Sequence, residues 1–166
     1  AAVAISMLAT PLVLAAIGRW WLPRLARDGR ARIAEISEPQ AAPVILDHLK
    51  QIGVAPSDVK LQLHSHAHAD HVGSTAALQR ATGAVVVSNA ESAVLLARGG
   101  YNDLHYGDSI VFPPVTATRL LQDREVVQLG SLRLQVWFTP GHTPGSMSWT
   151  WTDTRAGKPT RMALVD

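Results

Sequence analysis

The sequence predicts an α/β layered domain. Helical and strand periodicities alternate through its middle, the last third passes from one strand pattern to the next, and no repeat or low-complexity tract interrupts them. With 166 residues, 47% of them apolar, the chain can fill the core of one ordinary domain.

The elements follow in order. Ala1 to Gly18 has no charged residue and is followed by Arg19 and the Trp20-Trp21 pair. As a helix it would reach roughly 27 Å, just short of a bilayer core. Residues 1–18 are therefore expected to be an export or membrane segment, or else a helix or out-of-frame sequence without that role. Any membrane contact would be confined to them. Residues 19–40 are polar and Arg-rich, with Pro23 and Pro39, and read as a linker that contains no strand.

From residue 41 the pattern becomes regular. Ile45, Leu49 and Ile52 recur at helical spacing before Gly53, so Ala41 to Ile52 is expected to be an amphipathic helix. Val59 to Leu63 follows as a short strand. Ser74 can cap a helix that runs to Ala81 and stops at Gly83. Ala84 to Ser88 reads as a buried strand, and Glu91 to Arg98 as a helix closed by Gly99-Gly100. Leu132, Leu134, Val136 and Phe138 then alternate with Arg133, Gln135 and Trp137, as in a half-buried strand, and Gly130-Ser131 joins it to Val126–Leu129 as a hairpin. A last strand pair, 146–152 and 160–165, is expected to flank a polar loop from Asp153 to Pro159.

Composition removes several functions. With no cysteine, disulfides, thiolate-held zinc and thiol nucleophiles are excluded, and any metal must sit on His and carboxylates. The formal charge of +2 comes from one early cluster, Arg19, Arg24, Arg27, Arg30 and Arg32; from Gln40 onward ten Lys/Arg face ten Asp/Glu. That balance leaves no basic surface for phosphates, so no nucleic-acid partner is expected.

The chemistry is concentrated in His64-Ser-His66-Ala-His68-Ala-Asp70-His71, four imidazoles and one carboxylate within eight residues directly after a predicted strand. Charging adjacent imidazoles is mutually repulsive, whereas zinc takes neutral imidazole nitrogen and stabilises the group. His66 and His68, two apart in extended chain, project to one side and can share an ion. Asp70 and His71 diverge where the chain turns into a helix and can address a second. A long-range ligand should lock this loop to the domain, and His142 is the candidate. It lies in Thr139-Pro-Gly-His142-Thr-Pro-Gly145, a turn stiffened by two prolines and two glycines.

A lone histidine is ordinarily a surface or satisfied core residue, and grouped spacing reverses that expectation for these five ligands alone. His64 falls on the strand end and is read as a surface group or an outer partner of the metal site. His48 and His105 are read as structural or solvated, and Trp149 and Trp151 as packing rather than a substrate platform.

At these residues the sequence resembles the metallo-β-lactamase superfamily, whose signature is His-x-His-x-Asp-His followed at a distance by a lone His. Residues 41–166 are similar to subclass B3 β-lactamases in the phrases Ser65-His-Ala-His-Ala-Asp-His-Val-Gly73, Ala77-Leu-Gln-Arg-Ala-Thr-Gly83, Thr139-Pro-Gly-His-Thr-Pro-Gly-Ser-Met-Ser-Trp149 and Gly157-Lys-Pro. The resemblance implies an αβ/βα sandwich and a dinuclear Zn²⁺ centre. In it His66, His68 and His142 hold the first zinc, Asp70 and His71 hold part of the second, and Asp70 orients the hydroxide that attacks a β-lactam. It further implies a small-molecule partner, a role in antibiotic resistance and a periplasmic or secreted protein.

The sequence departs from that pattern at both ends. Residues 1–40 lack the strands with which the family fold opens. No histidine follows His142 to complete the second zinc site. The expectation is therefore an incomplete sandwich, from a truncated or frame-shifted gene, that retains one zinc or fewer. The alternatives are another superfamily hydrolase, a lactonase or glyoxalase II-like thioesterase, or a zinc-binding remnant without activity.

Overall fold

The computed structural model describes residues 3–7, 41–155 and 157–166, with the backbone alone for residues 3–7 and Arg155. The linker 19–40 lies outside the described residues, as does the apolar segment 1–18 apart from a short strand. No helix among the described residues is long and apolar enough to cross a membrane.

Two four-stranded sheets form the architecture. The first runs β1 (Val3–Met7), β2 (Val59–His64), β3 (Val85–Ser88), β4 (Arg119–Leu120), with each neighbouring pair parallel. Parallel neighbours need crossovers, which helices α1 (Ala41–Gln51), α2 (Ala69–Val72), α3 (Thr75–Thr82) and α4 (Ala90–Arg98) provide. The second sheet is antiparallel: β5 (Val126–Leu129), β6 (Leu132–Phe138), β7 (Met147–Arg155), β8 (Lys158–Leu164).

β1 corrects the reading of residues 1–40 as free of strands: Ala4 to Met7 pair in register with Leu61 to His64. The segment has no charge and only apolar or small side chains, a composition that suits a strand beside β2 as well as it suits a membrane helix, so its periodicity does not distinguish the two.

The two sheets pack face to face. Leu61 and Leu63 of β2 and Val87 of β3 meet Val127, Leu134, Val136, Met147 and Trp149 in one buried cluster. At about 1.5–3 kcal/mol for each fully buried aliphatic side chain, this interface is a major source of stability. Helices cover the other face of the first sheet. Ala41, Ile45 and Leu49, one stripe of α1, pack with Leu78 of α3 and Val59, while Leu96 of α4 packs with Val86, Val72 and Phe112. Val86 and Val87 thus point to opposite layers, as the pleat requires.

Two local expectations change. Ser74 occupies the residue before α3, but its side chain makes no cap bond and its backbone is already helical. The polar stretch 153–159 is not a loop: β7 continues to Arg155, β8 begins at Lys158, and these two residues are paired. Gly157, at φ 78°, supplies the left-handed backbone that a two-residue hairpin turn needs, so polar residues here lie on strands with mostly solvent-facing side chains.

Candidate metal centre

Ligands in open α/β sheets collect beyond the carboxyl ends of parallel strands, where backbone emerges from the core. β2 ends at His64, and the bent segment after it carries His66 and His68 before α2 opens with Asp70 and His71. The turn between β6 and β7 brings His142 from the other sheet. Two hydrogen bonds tie the sheets together beside the cluster: Met147 N donates to Ser65 O (2.8 Å), and the buried Trp149 Nε1 donates to His64 O (3.0 Å). Trp149 therefore packs, as expected, and also holds the backbone that leads into the site. The half-buried Trp151 packs against the same core.

The turn itself is fastened to α4. Gly145 O accepts from Asn89 Nδ2 (3.1 Å) and Ser92 Oγ (2.8 Å), and Asn89 Oδ1 in turn caps the helix through Ser92 N (2.8 Å).

All five expected ligands come together. His66, His68 and His142 offer ring nitrogens that lie within 4.8 Å of one another, and so do the ligand atoms of His66, Asp70 and His71. His66 belongs to both groups, its ring centroid 4.7 Å from that of His68, 4.5 Å from His142 and 3.9 Å from His71. His68 Nδ1 and His142 Nε2 are 3.2 Å apart. Two nitrogens bound to one tetrahedral zinc at 2.0–2.1 Å would stand about 3.3 Å apart, so this pair is already spaced as neighbouring ligands. His66 Nε2 is buried and has no hydrogen-bond partner, an orphan that a metal would satisfy. The donor set, all imidazole and carboxylate, suits zinc.

Electrostatics favour the ligating form. Burial, then the neighbouring His66, lowers the pKa of His68, and the same two causes in the same order bring His71 down to about 4. Both rings are neutral at neutral pH, with lone pairs available.

The structure also shows two carboxylates behind the ligands that the sequence did not single out. Asp166 Oδ1 lies 3.0 Å from His66 Nδ1. Burial raises the pKa of Asp166, but hydrogen bonds to His66 and Ser146 outweigh it and leave the group below its ordinary value. Asp103, in the loop after α4, places Oδ2 3.2 Å from His68 Nε2, off the line of the ring N–H, so that Nε2 is not hydrogen-bonded. Isolated acidic residues far along the chain carry no motif. Only a three-dimensional register finds them.

His64 is buried rather than exposed. Its Nε2 is 3.0 Å from Ser88 Oγ, and it belongs to neither ligand group. His48 and His105 are exposed and stand apart from both groups. Burial, followed by electrostatic repulsion from the neighbouring His66, lowers the pKa of His64 from 6.5 to about 4. Because the folded value lies below the unfolded one, the unfolded chain binds the extra proton between them. The stabilisation is whole above about 6.5, falls as pH drops towards 4, and amounts to roughly 3 kcal/mol. Urea unfolding of the metal-free chain across that window should therefore show a steep loss of stability that is reduced in His64→Gln; parallel slopes in the two proteins would count against it.

Comparison with known proteins agrees with this geometry. The metallo-beta-lactamase superfamily model matches residues 27–156. A hydroxyacylglutathione hydrolase of Anaeromyxobacter dehalogenans (strain 2CP-C) is 37% identical over 127 residues, 76% of this chain and 40% of that protein. Among solved structures, native FEZ-1 metallo-β-lactamase from Legionella gormanii superposes with a TM-score of 0.75 at 31% identity, over 78% of this chain and 50% of that one. The class B3 di-zinc metallo-β-lactamase LRA-12 from an Alaskan soil metagenome gives 0.73 at 32% identity, over 78% and 49%. The chain thus spans about two fifths of such curated relatives and half of such structures.

Proposed function

We propose that this chain, which belongs to the metallo-β-lactamase superfamily, forms the metal-holding part of a zinc-dependent hydrolase that opens the β-lactam amide bond. His66, His68 and His142 would hold one ion, and Asp70 and His71 a second. The observation that carries this reading is the pair of three-residue groups sharing His66 at the mouth of the parallel sheet. Zinc, when bound, supplies an acidified water and a Lewis acid for the carbonyl oxygen.

The chain's own residues do the positioning. Asp70 keeps 57% of its side chain exposed, 3.4 Å from His71 Nε2, so its carboxylate can accept a proton from the attacking water while facing incoming substrate. His71 Nδ1 and His66 Nδ1 lie 3.2 and 3.1 Å from the buried Ser65 Oγ, which fixes the orientation of both rings. Asp166 holds His66 from behind. No side-chain nucleophile is needed.

The β-lactam substrate is supported by the B3 phrases across residues 41–166 and by similarity to the di-zinc B3 enzyme. A second reading, thioester hydrolysis, is favoured by the 37% identity to a hydroxyacylglutathione hydrolase. Zinc-loaded chain assayed against a carbapenem, a hydroxyacylglutathione and an acyl-homoserine lactone separates them. The expected order puts the carbapenem first by kcat/KM; faster turnover of the thioester or lactone would replace the β-lactam assignment.

A further inference from the structure

Asp103 lies 32 residues beyond the end of the histidine cluster, in the loop 99–112, yet its side chain is only 7% exposed and faces His68. The loop is built around this carboxylate. Asp103 Oδ1 accepts from the backbone N–H groups of His105 and Tyr106, each at 2.7 Å, and the Asp103 and Gly107 backbones bond to each other in both directions. Asp108 Oδ1 closes the other side by accepting from Asn102 N (2.8 Å). With Oδ1 occupied, Oδ2 is left pointing at His68 Nε2, 3.2 Å away, and Tyr106 sets its ring edgewise against the same imidazole at 4.9 Å.

We infer that Asp103 is a positioning residue for the first metal: it holds the proton of His68 on Nε2 and so presents Nδ1 as the ligand. A carboxylate only accepts, so it repels a lone pair on the ring nitrogen facing it and favours the hydrogen there. The opposite nitrogen then keeps its lone pair, and that nitrogen is the one 3.2 Å from His142 Nε2. The contact acts through charge rather than through an aligned hydrogen bond, since Oδ2 lies off the line of the ring N–H. His66 has the equivalent partner in Asp166, so two of the three ligands in this group are backed by carboxylates. Outer partners of this kind generally change metal affinity by 10–100-fold.

The inference rests on the metal-binding reading above, and zinc alone is the probe. Asp103→Asn keeps an oxygen for the two loop N–H groups but turns an N–H₂ towards His68, which sets donor against donor. Chelator competition on the full chain should show the affinity of the His66/His68/His142 site falling about 10–100-fold, with the Asp70/His71 site unmoved. In nitrogen-15 spectra of the wild-type chain, His68 should be the Nε2–H tautomer. Asp108→Ala loosens the same loop without touching His68 and should leave zinc affinity as it was.

Equal affinity in Asp103→Asn and wild type, an Nδ1–H tautomer of His68, or an equal loss in Asp108→Ala would each overturn the role of Asp103 alone. A wild-type chain that takes up no zinc would overturn the metal centre itself, and this role with it.

Discussion

Replacing His66 with alanine should empty the His66/His68/His142 position and leave the Asp70/His71 pair as the only ligands of a second ion, whereas replacing His142 should take one ligand from the first position alone. His66 is the ring common to the two three-residue groups, and its Nε2 is a buried nitrogen without a partner. Dialysed His66→Ala protein should retain at most one zinc by elemental analysis, and the hydrolysis proposed above should fall by more than about 100-fold, beyond what loss of an outer partner costs. An independent signature follows from charge. His66 helps depress the pKa values of His64, His68 and His71, so in the metal-free variant all three should titrate at higher pH. Full zinc occupancy in His66→Ala would remove His66 from the ligands, and unchanged titration of the three rings would remove its electrostatic effect on them.

The legible part of this centre is the part written on one short segment. His66, His68, Asp70 and His71 lie within a strand end and one helical turn, where periodicity alone tells which side chains diverge. His142 is legible because a turn rich in proline and glycine has no packing reason to hold an imidazole. Asp103 and Asp166 are illegible for the opposite reason. Each is an ordinary acidic residue whose meaning comes from tertiary register, 35 and 100 residues from the ring it faces.

The fold divides in the same way. Strands with strict alternation, such as β6, and helices with a glycine stop, such as α4, are readable. Val3–Met7 is not, because a short uncharged run looks the same whether it spans lipid or lies in a parallel sheet, and only its pairing with β2 decides. The 153–159 hairpin was masked by its polar composition, because strand residues with solvent-facing side chains need no apolar period.

Gly145→Ala should be among the most destabilising single changes in the metal-free chain, although Gly145 touches no ligand. A Cβ at this position would stand 2.6 Å from Ser92 N and 3.0 Å from Asn89 Oδ1, and would also meet Ser92 Oγ. The first of these atoms is helix backbone and cannot rotate away. The turn must therefore withdraw from α4, which breaks the two buried hydrogen bonds to Gly145 O. Overpacking costs about 1–3 kcal/mol, and each buried hydrogen bond left unmade adds about 1 kcal/mol or more. A loss of about 3 kcal/mol in a domain of this size lowers Tm by roughly 6–12 °C. Ser92→Ala in the same background should recover only part of this, because Ser92 N remains. Gly141→Ala, in the same turn with no atom within 4 Å of the added Cβ, should melt with the wild type. Because the turn carries His142, Gly145→Ala should also weaken zinc at the His66/His68/His142 group. A variant that melts as wild type but binds zinc poorly would place the function of the clamp in aiming His142 rather than in stability, while one unchanged in both would show that the turn is not held by α4.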